Sequence, residues 1–215
     1  MKKLLFTLLM SSQFCYATTW LVGPAKVYTK PSQVSALVND GDTVLIDAAV
    51  YLADVCFWGK NNLVLKGAGP GYAHLDANNT AYGGKAIWVI GGQNTRVENI
   101  EFSRCTVVDK NGAGIRQEGM NLNVTHCYFH DNENGILAGD NAGSKIVIEQ
   151  SEFAFNGYGD GLSHNLYINH IDTLVFQYNY SHDANVGHEL KSRAKSHYIL
   201  YNRISSEQGT DSRNI

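Results

Sequence analysis

The stretch LNVTHCYFHDNENGILAGDNAGSKIVIEQSEFAFNGYGDGLSHNLYI (residues 122–168) decides the fold, because it contains two copies of one pattern. Each copy has an alternating polar and apolar segment, a phenylalanine, a polar turn rich in asparagine, and a glycine before another alternating segment. Five copies follow one another from residue 95 to residue 215. Their anchor residues are Phe102, Phe129, Phe153, Tyr180 and Ile204, and their turn glycines are Gly114, Gly135, Gly161, Gly187 and Gly209.

The glycine spacings of 21, 26, 26 and 22 residues indicate one structural repeat per copy. A period in the low twenties is typical of a parallel β-helix, in which each coil stacks its short strands on those of the coil before. Leucine-rich repeats share this length, but their LxxLxL frame is missing here and the strands are rich in Val, Ile, Tyr, Phe and Asn. We therefore predict an all-β right-handed parallel β-helix, a solenoid.

Asparagines near the turns fit this prediction. Asparagine tolerates left-handed backbone and can hydrogen-bond along a stacked ladder. We interpret them as structural; they are Asn132, Asn134, Asn156, Asn179 and Asn202.

Residues 1–17 are predicted to be a cleavable signal peptide. They combine Lys2 and Lys3 with an apolar run from Leu4 and a small Ala17. The run is far shorter than the roughly 20 residues of a membrane span, and no later segment resembles one. We expect a secreted or periplasmic bacterial protein in which residues 18–215 form one domain, and we expect it to be a monomer.

Both ends of the domain carry further expectations. Residues 31–39 open with Pro-Ser and have a helical apolar pattern, which predicts a short N-terminal helix that caps the first coil. The sequence stops at Ile215 within a strand-like segment. Because an open final coil exposes unpaired strand edges, we expect C-terminal coils beyond that residue.

The charge and the cysteines exclude some classes of function. Without Lys2 and Lys3, 15 basic residues face 20 acidic ones, a net charge of −5, and no basic run is present. Nucleic acid is therefore a poor candidate partner. The mature cysteines have no metal-finger spacing, and although one disulfide is compatible with an oxidising compartment, we interpret all three as small core residues. They are Cys56, Cys105 and Cys127.

A cluster of polar residues near the last two copies is the candidate site. Counting from each turn glycine, simple alternation places positions two, four and six on the outer face. This count puts Lys191 and Arg213 on adjacent coils, with Asn165 on the coil before and Glu189 and Arg193 beside them. The residues crowded around this coil are His164, Asn165, Tyr167, His182, His188, Glu189, Lys191 and Arg193.

The chemistry of this cluster suits β-elimination from a uronic acid. Nearby positive charge disfavours protonated lysine, so Lys191 can accept a proton. Arg193 and Arg213 then stabilise an enolate-like intermediate. The remaining polar side chains are predicted to bind substrate: His164, Asn165, Tyr167, His182 and His188. Stacked charges on a β-helix face also serve solubility alone, and His188 fits a core role as well.

The segment GHELKSRAKSHYILYNRISSEQGTDSR (187–213) resembles the alginate lyase and chondroitinase B family, in which a Lys base in a KS dipeptide is followed one coil later by an Arg after a QGT-like turn. The resemblance implies that Lys191 is the base and that Arg213 acts as acid or charge neutraliser. It also implies calcium as a cofactor, with Glu189 as the nearest ligand match and Asn165 and Glu118 as weaker ones. The spaced acidic pair before the Lys is missing, and Asn214 stands where a His is customary.

The wider chain resembles the pectate lyase-like superfamily of secreted right-handed β-helix proteins. WLVGP (20–24) and SHNLYIN (163–169) carry this resemblance. We therefore predict a polysaccharide lyase that acts on an acidic polysaccharide. The alternatives are a uronate C5-epimerase, which shares the first step, and a non-catalytic carbohydrate-binding or structural surface protein. A glycoside hydrolase is disfavoured, since Asp160 and Glu189 form no convincing pair of carboxylates.

Overall fold

The structure is a computed structural model that describes residues 17–215. These residues form an all-β, right-handed parallel solenoid of about 7 turns, which confirms the predicted fold class. The predicted signal peptide lies outside the described residues except for Ala17.

Each full coil contributes one strand to each of three parallel sheets. The strands are, in chain order, β1 (Thr19–Val22), β2 (Thr43–Asp47), β3 (Val50–Leu52), β4 (Cys56–Trp58), β5 (Val64–Ala68), β6 (Ala73–Asp76), β7 (Ala86–Ile90), β8 (Thr95–Glu98), β9 (Ile100–Ser103), β10 (Ala113–Gln117), β11 (Leu122–Thr125), β12 (Tyr128–His130), β13 (Asn134–Ala138), β14 (Asn141–Glu149), β15 (Glu152–Ala154), β16 (Leu166–Ile168), β17 (Ile171–Gln177), β18 (Tyr180–His182), β19 (Lys191–Ser192), β20 (Ser196–Leu200) and β21 (Arg203–Ser205). Sheet A has the order β1-β2-β5-β8-β11-β14-β17-β20, sheet B the order β3-β6-β9-β12-β15-β18-β21, and sheet C the order β4-β7-β10-β13-β16-β19.

The interior of the solenoid is a column of stacked apolar side chains. On sheet B the rings of Phe102, Phe129 and Phe153 are fully buried and parallel, with centroids 4.9 and 4.8 Å apart. The column ends at the next coil, because β15 pairs with β18 so that Phe153 lies beside Ser181. The predicted anchor Tyr180 was therefore wrong by one residue: Tyr180 pairs with Glu152, whose side chain lies on the outer face.

Left-handed backbone turns the chain from sheet to sheet. At the corner between sheets A and B, five residues have φ between 49° and 58°: Asn99, His126, Gln150, Tyr178 and Tyr201. Interior asparagines stack beside the corners, with 3.0 Å from Asn132 Nδ2 to Asn156 Oδ1 and 3.2 Å from Asn179 Nδ2 to Asn202 Oδ1. The predicted structural ladder is confirmed for these four asparagines.

Sheet C departs from simple alternation where each strand begins. A Cβ atom added at Gly114 or Gly135 would lie only 2.8 Å from Phe129 Cδ1 or 3.0 Å from Phe153 Cδ1, so both positions face the interior. The next residues, Ile115 and Ile136, are also fully buried in the core. Two consecutive residues thus point inward, and the outward side chains are those immediately before and after this pair.

The predicted N-terminal helix is shorter than expected. The structure has a single 3-10 turn, Pro31–Gln33, followed by further turns and packed against β4, the first strand of sheet C. Val34 and Val38 are buried, which explains the helical apolar pattern. So short a segment cannot recover the cost of starting an α-helix.

The three cysteines of the described residues are free and buried, as predicted: Cys56, Cys105 and Cys127. Burial raises the pKa of the Cys105 and Cys127 thiols to about 12. These two thiols are therefore inert packing groups at neutral pH. Within residues 17–215, the structure contains no helix of sufficient length and apolarity for a membrane crossing.

Candidate active site on sheet C

The outer face of sheet C brings two histidines next to Lys191. Strand β16 pairs with β19 so that Tyr167 lies beside Lys191, and the same register places His164 beside His188. The inward pair is Asn165 and Leu166 on one coil and Glu189 and Leu190 on the next, all fully buried. The flanking residues therefore face outward: His164 and Tyr167 on the first coil, and His188 and Lys191 on the second.

Lys191 contacts the two aromatic groups of the coil before. Its Nζ lies 3.2 Å from His164 Nε2 and 4.7 Å from the centroid of the Tyr167 ring. The guanidinium carbon of Arg193 is 5.6 Å from the same ring. Tyr167 also packs on a small apolar cluster on this face that includes Leu137. Arg193 thus lies beside Lys191, as predicted, and the charged groups of both residues contact the ring of Tyr167.

The hydrogen bonds of His164 indicate the protonation state of Lys191. His164 Nδ1 accepts the backbone N–H of His188 at 3.1 Å, so the proton of the neutral ring lies on Nε2. That N–H points at Lys191 Nζ, and only a neutral amine has a lone pair to accept it. The contact is therefore satisfied when Lys191 is unprotonated, which is the form that a general base requires.

The electrostatics agree with this assignment. Burial, followed by the charges of Lys191 and His188, lowers the pKa of His164 to about 3, so its ring is neutral at neutral pH. Burial and then the charge of Arg193 lower the pKa of Lys191 below its usual value. Burial, Lys191 and Arg213 lower the pKa of His188 in the same way.

Arg213 lies beside His188 and not above Lys191 as predicted. The backbone of Arg213 bridges that of His188, and the Glu189 N–H donates to the Arg213 carbonyl at 3.1 Å. The predicted alignment was wrong because it treated Gly187 and Gly209 as equivalent positions, whereas the observed pairing of His188 with Arg213 shifts the register by three residues. The count from Gly161 fails as well, since Leu162, expected in the interior, is instead 76% exposed. The guanidinium of Arg213 still belongs to the same patch, since its charge acts on His188.

Glu189 and Asn165 point into the solenoid, which corrects their prediction as outward ligands or substrate-binding residues. Both are fully buried. The Glu189 carboxylate accepts the Ala184 N–H at 2.8 Å and also meets the Asn165 amide and the Ser181 hydroxyl. This polar interior group occupies the space left where Ser181 ends the phenylalanine column.

The calcium ligands expected from the resemblance are not assembled. Glu189 and Asn165 use their oxygens inside the coil, where Asn165 Oδ1 accepts the Asn156 amide at 2.9 Å. The third expected ligand, Glu118, contacts Lys85 at 2.5 Å and Arg116 at 4.0 Å. These residues do not fit a calcium site, and the chemistry below uses none.

His182 lies on sheet B, whereas the candidate site lies on sheet C. It belongs to β18 of sheet B, where its Nε2 is 3.2 Å from Glu152 and its Nδ1 is 2.8 Å from Asp183. The structure therefore does not place His182 beside Lys191, where it was expected.

The buried Glu189 makes stability depend on pH. Burial raises the pKa of Glu189 to about 7 from a usual value near 4.5, so the folded protein holds a proton that the unfolded chain has already released. Its stabilising contribution is complete below about pH 4.5 and is lost as the pH rises through about 7. We expect the urea midpoint to fall between pH 5 and pH 8.

Glu189→Gln should flatten this fall, because glutamine does not titrate. The partly exposed Glu98, paired with Lys66, provides the matched control, and Glu98→Gln should leave the fall unchanged. An equal pH dependence in the wild-type and Glu189→Gln proteins would contradict the assignment.

A four-residue unit in the sequence reveals the correct register. The outward-inward-inward-outward pattern reads AGIR (113–116), NGIL (134–137), HNLY (164–167) and HELK (188–191). Sequence analysis missed it because glycine occupies the first inward position in two units, whereas asparagine and glutamate occupy it in the others. Aligning on the Ile or Leu of each unit would have placed His164, His188 and Lys191 together.

Comparison with known proteins supports the fold. No curated protein and no solved structure matches the chain. A family model described as "Right handed beta helix region" matches residues 55–210, well over half of the sequence. The chain therefore belongs to the right-handed β-helix region family.

Proposed function

We propose that this protein is a secreted or periplasmic lyase that acts on an acidic polysaccharide by removing the C5 proton of a uronate. The contact between Lys191 Nζ and the protonated Nε2 of His164 carries the proposal. The β-helix fold also supports the proposal in general terms, since this fold is common in polysaccharide-active and polysaccharide-binding proteins.

The reaction begins with proton transfer to Lys191. The neutral amine takes the C5 proton, and the electrons of the broken C–H bond form a carbanion that is delocalised into the uronate carboxyl group. In elimination these electrons form the C4–C5 double bond while the C4–O bond breaks. The departing oxygen is then protonated by the ammonium that Lys191 has become or by water.

The arginines neutralise the uronate carboxylate and the charge that develops on it. Arg193 is held over Tyr167 and its charge acts on Lys191, so its guanidinium flanks the base. Arg213 lies one coil further on, beside His188, and its charge acts on that residue. Fixed positive charge near a developing enolate lowers the barrier because it needs no reorganisation during the reaction.

The direct test is incubation of the purified protein with alginate, pectate and chondroitin sulfate, each with and without calcium. Ultraviolet absorbance of unsaturated uronate is followed, and mass spectrometry checks that the products are unsaturated oligosaccharides. A rise on one polymer supports elimination. No rise on any polymer, from protein with the circular dichroism of a folded β-structure, would overturn the lyase proposal.

An epimerase would share the first step and is distinguished by isotope exchange. Incubation in deuterium oxide would then place deuterium at C5 of the polymer without ultraviolet absorbance. Deuterium incorporation by the wild-type protein, lost on replacement of Lys191, would support epimerisation.

A binding function is favoured by one separate feature, an exposed pair of tyrosines. Tyr178 and Tyr201 stack with centroids 5.2 Å apart and planes 9° apart, and they are 54% and 76% exposed. Such flat apolar surfaces mark interaction sites, and sugar rings can stack on them. Loss of polymer retention in affinity electrophoresis by Tyr201→Ala, with Lys191→Met unaffected, would support binding without turnover.

The charge of Arg193 should set the pH dependence of the reaction. Rates should rise with pH as Lys191 loses its proton, with a midpoint below the usual lysine value because burial and Arg193 lower its pKa. Arg193→Gln removes a like charge, so the pKa of Lys191 should rise and the midpoint of kcat/KM should move to higher pH. Arg203→Gln changes an arginine on sheet B and is the control. It should leave the pH midpoint of kcat/KM unchanged. A shift to lower pH would contradict the role of Arg193.

A further inference from the structure

A second cluster of ionisable side chains lies on the outer face of sheet B. His74, Glu101 and His130 come from β6, β9 and β12, which are strands of three successive coils. His74 pairs directly with Glu101, and His130 is one coil further on and two residues along the strand. The parallel register therefore holds the three side chains together independently of any loop.

The three ligand atoms lie at distances that suit one metal ion. Glu101 Oε1 is 3.6 Å from His74 Nε2 and 3.0 Å from His130 Nε2, and all three atoms are within 4.8 Å of one another. Tetrahedral zinc, with bonds of about 2.0–2.1 Å, separates its ligand atoms by about 3.3 Å. The side chains are 17% to 22% exposed, so solvent and an ion can reach them.

The hydrogen bonds around His130 favour a cation at this position. His130 Nδ1 lies 2.7 Å from Asp131 Oδ2, so the ring donates that proton to the carboxylate. In the neutral ring, Nε2 then has only a lone pair, and this lone pair faces the Glu101 oxygen at 3.0 Å. Two lone pairs so close repel each other unless a proton or a metal ion lies between them.

We propose that His74, Glu101 and His130 bind a divalent transition-metal ion of the zinc type, with Asp131 orienting His130. Two imidazoles and one carboxylate are a ligand set of zinc sites that keep a fourth position open. A carboxylate on the second nitrogen of a ligating histidine fixes its tautomer and raises its basicity. The Ser103 hydroxyl, 2.7 Å from His74 Nε2, is the contact that the ion displaces.

The chain contains an internal control for this proposal. His182 repeats the surroundings of His130, with Tyr180 stacked on its ring, Asp183 on Nδ1 and Glu152 near Nε2. The ring of Tyr128 stacks on His130 in the same way. Around His182, however, the described residues supply no group of three ligand atoms close enough to hold one ion. A purely structural stack of Tyr, His and acid would make both histidines equivalent, whereas a metal site requires only His130.

The test is titration of chelator-treated full-chain protein with Zn²⁺ by isothermal calorimetry, with Co²⁺ as a spectroscopic probe. We expect one Zn²⁺ per chain and, with Co²⁺, visible absorption of a nitrogen- and oxygen-ligated site. His74→Gln and His130→Gln should each weaken Zn²⁺ binding by about 100-fold or more, and Asp131→Asn by about 10–100-fold. His182→Gln should leave the affinity unchanged.

Two outcomes would overturn the proposal: wild-type affinity no tighter than that of folded His74→Gln protein, or an equal loss in His182→Gln. Thermal unfolding provides a check that does not depend on mutant folding. Added Zn²⁺ should raise the Tm of wild-type protein and of His182→Gln but not of His74→Gln, because an ion that binds only the folded state stabilises it. The site lies on a different sheet from Lys191, so neither result depends on the proposed lyase activity.

Discussion

Lys191→Met is expected to lower kcat/KM for the formation of unsaturated uronate by about 10²–10⁴-fold, the usual contribution of a general base. Methionine keeps most of the apolar stem that packs against the ring of Tyr167 but has no amine to accept a proton. His164 remains in place through its bond from the His188 backbone, so the loss reports on the base itself. The initial rate of absorbance increase, on the polymer that the wild-type protein cleaves, provides the measurement.

Two further variants separate a base from a positive charge. Lys191→Arg keeps the charge but cannot give up its proton, so it should be as inactive as Lys191→Met. Lys145→Met changes an exposed lysine on sheet A and should retain wild-type activity. If Lys191→Arg were fully active, Lys191 would act through its charge, and the assignment of the base would be wrong.

The repeat made the fold predictable because stacking depends on a pattern and not on individual contacts. Alternating apolar residues with turns at a fixed period leave few ways to bury the strands other than coil on coil. The aromatic column at Phe102, Phe129 and Phe153 and the asparagine ladders followed from the same pattern. Each of these features recurs in successive coils, so a misassigned residue in one copy does not change the fold that the other copies predict.

The site was predictable only in part, because it departs from the repeat. The three residues between Gly157 and Gly161 begin no strand, and the coil resumes at Leu166, so a count from Gly161 loses the register. Lys191, Tyr167 and Arg193 share one face as expected, but the count aligned Tyr167 with Arg193, whereas the structure pairs Tyr167 with Lys191. The direction of Glu189 could not be read from alternation, since two consecutive residues face inward at that point.

The replacement of glycine by polar residues at this inward position has a physical reason in the neighbouring sheet. Where a phenylalanine ring fills the interior, as at Phe129 and Phe153, only glycine fits opposite, at Gly114 and Gly135. Ser181 stands in the place of the next ring, and the freed volume holds the side chains of Asn165 and Glu189. The position of a side chain in one sheet thus depends on a residue in another, which a strand-by-strand reading does not detect.

Phe129→Ala is expected to lower the free energy of unfolding by about 3–5 kcal/mol, the usual cost of a buried phenylalanine. The Phe129 ring is fully buried and stacked between Phe102 and Phe153, with planes within 8° of one and 2° of the other. Neither neighbour can move into the gap without leaving its own strand register, so the cavity should stay largely open. Urea unfolding, followed by the fluorescence of the buried Trp88 that packs on Phe102, measures the loss.

Phe155→Ala is the matched control, because it makes the same chemical change at a position that is 38% exposed. The left-handed backbone at Phe155, with φ of 55°, is equally strained for phenylalanine and alanine, so it cancels from the comparison. We expect Phe155→Ala to cost about 1 kcal/mol or less, the range of surface substitutions. Equal losses in the two variants would show that coil stacking resides in the backbone ladders, whereas a selective loss at Phe129 places it in the aromatic column, where one missing ring interrupts contact between three successive coils.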